Sequence, residues 1–362
     1  MSVPTNYNWK QLENFCGEIF IKAGVPKETA EIVAESLIEA DLRGVDSHGV
    51  VRTAIYLKRI EEKMIDPSSK VLIDNENDST ALIDGNNNFG SFVGKKALDV
   101  ALEKSQKTGI GLVGVKNSNH FGTGAYYALK AVDKDTILLV MSNASQTMPP
   151  TGGVRPFIGT NPLAVGVPTG TDIPFILDMA TSVVARGKII VAAQKGEKIP
   201  EGWAIDKAGN ATTDANAALE GSVLPLGGPK GYGISMLIDI LAGVLTGAGF
   251  GKYVNNMYEN WVDPQNVGHL FIAIDINRFM PIDLFKQRID QYIGEIKEEP
   301  KAPGVDEIFI PGEIEYKRTL ERKEKGIELP QKVAEELFEI GRRYGVDLTN
   351  AASTTKNNNV EV

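Results

Sequence analysis

Apolar residues recur at helical spacing through the first 70 positions. Trp9, Leu12, Phe15, Cys16, Ile19, Phe20 and Ala23 mark one helix, stopped by Gly24 and Pro26. Ala30, Val33, Leu37 and Ala40 mark a second, ended by Gly44. A third is predicted from Asp46-Ser47 to about Glu61, with Ser47 or Asp46 as N-cap. After Pro67 the pattern shortens. Apolar runs at 71–73 and 80–83 flank an Asn/Asp/Ser-rich turn and read as a hairpin. An amphipathic helix over 89–107 leads into a buried strand over 110–115. A Gly-rich polar loop, a helix over 125–132 and strands at 137–141, 163–167 and 174–177 follow. Residues 228–245 read as a long buried helix and 269–274 as a strand. Helices return at 282–298, 315–325 and 330–344, and 354–362 is polar and frayed. The order predicts an α/β protein with helical ends. Residues 1–70 and 313–362 would meet in one helical domain beside an α/β domain over 71–312.

Composition narrows the class. At 362 residues the chain is long enough for two domains with real cores. A net charge of −9 argues against a nucleic-acid partner. The single cysteine, Cys16, excludes an intramolecular disulfide framework and Cys-built zinc or iron–sulfur sites, and fits a reducing cytoplasm. The first ten residues carry neither a basic n-region nor an apolar h-region. The most apolar stretch, 234–250, is interrupted by Asp239 and glycines and is shorter than the ~20 residues a membrane span needs. No membrane association is expected.

Three histidines focus the search for chemistry. On a helix starting at Ser47, His48, Arg52 and Tyr56 fall at i, i+4 and i+8 on one face. Such a stripe can clamp a small carboxylate, the Arg bidentate and the others on a neighbouring oxygen. It can equally be a polar helix face. His120, in Asn117-Ser118-Asn119-His120-Phe121-Gly122, leaves the C-terminal end of a buried strand, where ligands of open α/β sheets collect. It suits a general acid/base, or a loop hydrogen bond. His269 precedes an apolar strand and reads as structural. No G-x-G-x-x-G follows a first strand, so the usual dinucleotide fingerprint is missing. Gly90-Ser91-Phe92-Val93-Gly94-Lys95-Lys96 is one residue short of a P-loop and lacks its Ser/Thr. Gly227-Gly228-Pro229-Lys230-Gly231 opens a helix and could hold a phosphate on backbone N–H groups and Lys230. No metal-ligand spacing and no G-x-S-x-G elbow occur.

Together these segments resemble the malate/L-lactate dehydrogenase family, the type unrelated to classical lactate and malate dehydrogenases. The resemblance rests on Asp46-Ser47-His48-Gly49, Asn117 to Gly122, Pro150-Thr151-Gly152-Gly153, Gly159-Thr160-Asn161-Pro162, Leu177-Asp178-Met179-Ala180-Thr181, Ile199-Pro200-Glu201-Gly202-Trp203 and Gly228-Pro229-Lys230-Gly231. These occur in family order from about residue 9 to 345. The resemblance implies a three-layer α/β/α mixed-sheet domain of non-Rossmann topology, NAD or NADP as cofactor, and a homodimer or larger homo-oligomer. By the same resemblance, His120 or His48 is the acid/base. Ser47, Arg52, Tyr56, Thr160 and Asn161 lie on the substrate side. Asn143, Ala144, Ser145, Asp178, Met179, Ala180, Lys230, Gly231, Asp275, Asn277 and Arg278 lie on the cofactor side. The implied reaction moves a hydride between nicotinamide and C2 of a small 2-hydroxy or 2-oxo carboxylate. Reduction of a cyclic imine 2-carboxylate and a catalytically silent nucleotide-binding protein are the alternatives.

Overall fold

A computed structural model describes residues 5–347; the polar tail at 354–362 lies outside the described residues. The chain opens with a short strand β1 (Asn6–Tyr7), α1 (Trp9–Lys22) and α2 (Lys27–Leu42). The Asn8 side chain caps α1 by accepting from the N–H groups of Lys10 and Gln11. Two single 3₁₀ turns, Asp46–His48 and Val50–Arg52, precede α3 (Thr53–Glu61). The hairpin β2 (Leu72–Glu76) and β3 (Thr80–Asp84) is present, followed by α4 (Gly90–Thr108), β4 (Ile110–Ser118), α5 (Gly124–Val132) and β5 (Thr136–Ser142). Next come β6 (Leu163–Val167), β7 (Phe175–Met179) and α6 (Arg186–Lys195). A small three-stranded sheet of β8 (Ala204–Ile205), β9 (Ala211–Thr212) and β10 (Ser222–Val223) flanks α7 (Ala215–Glu220). The chain closes with α8 (Pro229–Asp239), β11 (Val267–Asp275), α9 (Ile282–Glu298), α10 (Glu313–Lys325), β12 (Ile327–Glu328) and α11 (Gln331–Tyr344).

Seven strands form one mixed sheet in the order β2-β3-β4-β11-β5-β6-β7. Only β3 and β4 pair in parallel, joined by the crossover helix α4. The late strand β11 slots between β4 and β5, antiparallel to both. That register decides where the loops emerge. His269 sits opposite Val115 of β4 and Ser142 of β5, so both strands end at the same edge. Leu163 pairs with Met141 and with Met179, so the start of β6 and the end of β7 reach that edge too. The loops at 117–123, 143–147, 159–161 and 179–182 therefore leave from one side.

The first and last described helices meet. One core cluster joins Leu12, Phe15, Phe20, Leu37 and Leu57 with Ile327, Leu329 and Leu337. A second packs α4 and α5 against the central strands through Val93, Leu98, Tyr127, Val113 and Phe271. Among the described residues no helix is long and apolar enough to cross a membrane.

Three expectations are corrected. The third helix does not begin at Ser47, and neither Ser47 nor Asp46 caps it. Gly49 adopts extended backbone (φ −83°, ψ −151°) and splits the segment. A Cβ there would lie 1.7 Å from Oδ1 of Asp41, so the chain turns where only glycine passes the buried carboxylate. The 228–245 helix is shorter, ending at Asp239 and loosening into a π segment over Ile240–Val244. It is also not buried throughout: Met236, Leu237 and Leu245 are 47%, 53% and 63% exposed, because an apolar run hides which face meets the sheet. The sequence reading also passed over the elements between 182 and 226. They form their own small core of Ile189, Ala204, Ala215 and Val223.

Candidate functional site

The broken turn at Gly49 sets the first half of the site. The buried Asp41 carboxylate accepts the Val50 N–H at 2.8 Å, and Arg322 of α10 donates to the Asp41 carbonyl and the Asp46 carboxylate. This presents Ser47, His48 and Arg52 on a tight hook rather than on one helix. Ser47 Oγ lies 2.9 Å from His48 Nδ1. Arg52 Nε donates to the Ser47 carbonyl at 2.7 Å.

The loop after β4 supplies the second half. Asn117 takes a left-handed conformation (φ 52°), and Asn119 donates to the backbone of Asn87 and Asn88. Gly90 at the start of α4 lets the loop close down, since a Cβ there would sit 2.1 Å from the Asn119 carbonyl. His120 N–H donates to Gln265 Oε1 at 3.0 Å. Its Nδ1 lies 2.7 Å from the Tyr56 hydroxyl, and its ring is centred 5.3 Å from that of His48. The predicted stripe thus fails as a helix face, yet its three side chains do converge on His120.

Electrostatics keep both imidazoles neutral. Burial pushes His48 down to about 3, with the Arg52 guanidinium adding to the effect. Burial, Arg52 and His48 hold His120 well below the usual histidine range. Burial raises Tyr56 to about 12 despite Arg52 nearby. Neutral rings beside an arginine form a site that disfavours added cations and favours an anion.

A cleft of about 600 Å³ is lined by Ser145, Gln146, Lys252, Asn255, Asn256 and residues 259–263, and Tyr258 of that loop lies against Arg52. His269 plays no part in it. Fully buried, it bridges the Ser142 and Ser118 hydroxyls at 2.9 and 2.8 Å and stacks on Phe121. It ties the ends of β4 and β5 together, as its position before an apolar strand suggested.

Several expected contact residues are used internally. Asn143 donates to Asp239 and the Gly249 carbonyl and accepts from the Gly268 N–H. Asn161 is buried; it accepts from the Ala144 N–H and donates to the Ser235 carbonyl. These bonds dock the 143–145 and 159–161 loops on α8. The Asp178 carboxylate, raised to about 6 by burial, accepts the Ala125 N–H at the start of α5. Residues 179–181 lie beside the opening of α8, because Leu226 N–H donates to the Thr181 carbonyl and Thr181 N–H to that of Thr160. Thr160, Met179, Ala180, Lys230 and Gly231 are thereby gathered near one helix start. Asp275, Asn277 and Arg278 are not. They follow β11 at the opposite end of the sheet, where Ile274 pairs with Ile110, roughly 25 Å of strand from Ser118. There Asp275 caps the Asn277 turn and Arg278 donates to the last carbonyls of α4.

Gln265, Tyr258 and Arg59 were missed. Arg59 follows Arg52 by seven residues, the spacing of one helix face, so periodicity could have marked it. Nothing in the sequence pattern marks Gln265.

A sequence model described as malate/L-lactate dehydrogenase matches residues 7–338. The malate dehydrogenase of Pyrococcus horikoshii is 44% identical over 345 residues, covering 93% of this chain and 95% of that one. The malate/(S)-sulfolactate dehydrogenase of Methanothermus fervidus is 43% identical over 329 residues, covering 90% and 94%. The solved structure of sulfolactate dehydrogenase from Methanocaldococcus jannaschii superimposes with a TM-score of 0.90 at 39% identity, covering 95% and 99%.

Proposed function

The chain belongs to the malate/L-lactate dehydrogenase family, and we propose that it is a nicotinamide-dependent 2-hydroxy acid dehydrogenase. The observation that carries the reading is the convergence of Arg52, Tyr56, His48 and His120 at the sheet edge. Arg52 has its Nε tied to the Ser47 carbonyl, which leaves both terminal nitrogens for the substrate carboxylate. A carboxylate held there brings the neighbouring C2 oxygen toward the imidazole pair.

His120 is our acid/base, with His48 beside it to bond the same oxygen. The base role uses the tautomer in which Nδ1–H donates to the Tyr56 oxygen 2.7 Å away, which leaves the lone pair on Nε2. In oxidation that lone pair takes the hydroxyl proton; in reduction the imidazolium returns it. The low proton affinity of His120 suits the base form. A bound carboxylate offsets Arg52 and raises that affinity for the return step.

The nicotinamide cofactor, NAD or NADP, would supply the hydride acceptor or donor. The residues fit its phosphates. Gly227 and Gly228 take positive φ with open space at their Cβ positions, Pro229 starts α8, and Lys230 follows in its first turn. Met179, Ala180 and Thr160 would line its inner side.

The exposed apolar face of α8 and of the π turn that continues it, with Leu237, Val244 and Leu245, supports a homodimer in which a second copy covers it. The shared core of the chain ends supports a helical unit over 1–70 and 313–362 beside an α/β unit over 71–312.

The test is nicotinamide absorbance with purified protein, NADH or NADPH, and oxaloacetate, pyruvate or sulfopyruvate. Turnover of one of these supports the reading and names the substrate. Failure to bind either cofactor by folded protein overturns it.

A further inference from the structure

Beyond the convergent quartet, a second guanidinium organises the loop at 257–261, part of which lines the cleft. Arg59, on α3, is fully buried, and burial lowers its proton affinity to about 10. No carboxylate is paired with it among the ion pairs of the described residues. Instead its Nη1 donates to the carbonyl of Met257 at 2.9 Å and that of Asn260 at 3.4 Å, and its Cζ lies 5.7 Å from the Trp261 ring. One rigid side chain therefore pins two carbonyls three residues apart. The residue between them that matters is Tyr258. Its N–H donates to Asn256 Oδ1 at 2.8 Å, which closes the turn. Its ring lies against the Arg52 guanidinium, 5.6 Å from the ring centre to Cζ. Arg52 and Arg59 leave the same helical segment seven residues apart, so one arm fixes the loop and the loop's aromatic ring meets the other arm.

We infer that Tyr258 is a positioning residue that orients the Arg52 guanidinium for the substrate carboxylate. The inference rests on the carboxylate role of Arg52 proposed above. The Ser47 carbonyl fixes only Nε and leaves the guanidinium free to turn about that bond. An aromatic ring 5.6 Å from Cζ restricts that rotation while occupying none of the terminal N–H groups. The ring covers a charged face without neutralising it, so the arginine stays available to an anion. Asn255, Asn256 and Asn260 line the cleft beside it, which makes the same loop the wall met by the rest of the substrate.

The experiment is steady-state kinetics with oxaloacetate, or with whichever 2-oxo acid wild type reduces best, using Tyr258→Leu, Tyr258→Phe and Arg52→Lys. Tyr258→Leu is expected to raise KM about fivefold, the scale of a lost cation–π contact, with kcat within about twofold. Tyr258→Phe keeps the ring and should restore the wild-type KM. In the Arg52→Lys background Tyr258→Leu should add nothing, because the group it orients is gone. Cofactor Kd and Tm serve as controls: a purely structural role would move both and would not be rescued selectively by Phe. An active wild type with unchanged KM in Tyr258→Leu, or additive effects in the Arg52→Lys background, overturns the inference and leaves the dehydrogenase reading intact. A wild type that reduces no 2-oxo acid overturns both.

Discussion

The Tyr56 hydroxyl stands 2.7 Å from Nδ1 of His120, joining a helix near the start of the chain to a loop 64 residues later. Tyr56 is buried and its hydroxyl keeps its proton, raised to about 12. The contact holds the ring by Nδ1 and leaves Nε2 as the nitrogen without a protein partner among the described residues. His120→Ala should lower kcat/KM by roughly 10²–10⁴ with cofactor affinity unchanged. Tyr56→Phe should cost less, about tenfold, since the imidazole remains but loses the hydrogen bond that holds its ring. Stopped-flow or steady-state rates check the order; a Tyr56→Phe loss larger than that of His120→Ala would contradict it.

Arg52→Lys tests bidentate recognition. Lysine keeps the charge but loses the fork, and hydrogen bonds to charged groups are worth about 1.5–3 kcal/mol. KM for the 2-oxo acid should rise by roughly 10- to 100-fold while NADH or NADPH binding is retained. An unchanged KM places the carboxylate elsewhere.

The pH profile of oxidation follows from His120. Oxidation needs the neutral ring, and burial with Arg52 and His48 nearby keeps it neutral below the ordinary histidine value of 6.5. The acid limb of kcat/KM, which reports free enzyme, should therefore fall below 6.5. That of kcat should lie higher, because the bound carboxylate offsets Arg52. A kcat/KM limb at or above 6.5 is the contrary result.

Asp41 gives a stability test with a definite sign. Burial raises its carboxyl from 3.8 to about 7, so the folded protein holds a proton there that the unfolded chain has released. Stability is thus favoured below 3.8 and lost as pH rises toward 7. Asp41→Asn retains an acceptor for the Val50 N–H and removes the titration. Relative to wild type, its Tm should improve as pH climbs through that window. Parallel Tm curves would show that Asp41 does not titrate there.

His269 bridges two serines in a fully buried position. His269→Leu removes the bridge between them; Ser142 keeps its bonds to the Asn143 and Gly268 carbonyls and Ser118 its long one to that of Asn119, so the loss should be about 1–3 kcal/mol in all. A fall in Tm with little change in kcat is expected in the fraction that folds. Selective loss of kcat at unchanged Tm would instead give His269 a place in the chemistry.

Periodicity located the α/β middle and both helical ends because these elements bury one face and show it in sequence. It misread the segment around His48 because the break at Gly49 is imposed from α2, by a carboxylate eight residues earlier in the chain. It took 228–245 as buried because apolar residues dominate Ile234 to Leu245, whereas the buried face carries Ser235 and Asp239 and leaves Met236, Leu237 and Leu245 exposed. The imidazole pair was legible from the scarcity of histidine and the loop after β4. Register was not: the insertion of β11 between β4 and β5 is what shows that Asp275 and Arg278 leave from the end of the sheet opposite the His120 loop. Arg59 shares a helical spacing with Arg52, but Tyr258 acts through a loop whose fold depends on tertiary bonds, and local pattern carries no trace of it.

The most direct measurement follows the hydride itself. NADH or NADPH deuterated at C4 of the nicotinamide ring is mixed with the accepted 2-oxo acid, and the product is read by proton NMR. The account predicts a 2-hydroxy acid whose C2 carries deuterium, formed by wild type and lost on His120→Ala. A product bearing a solvent-derived proton at C2, or full turnover without His120, would contradict it.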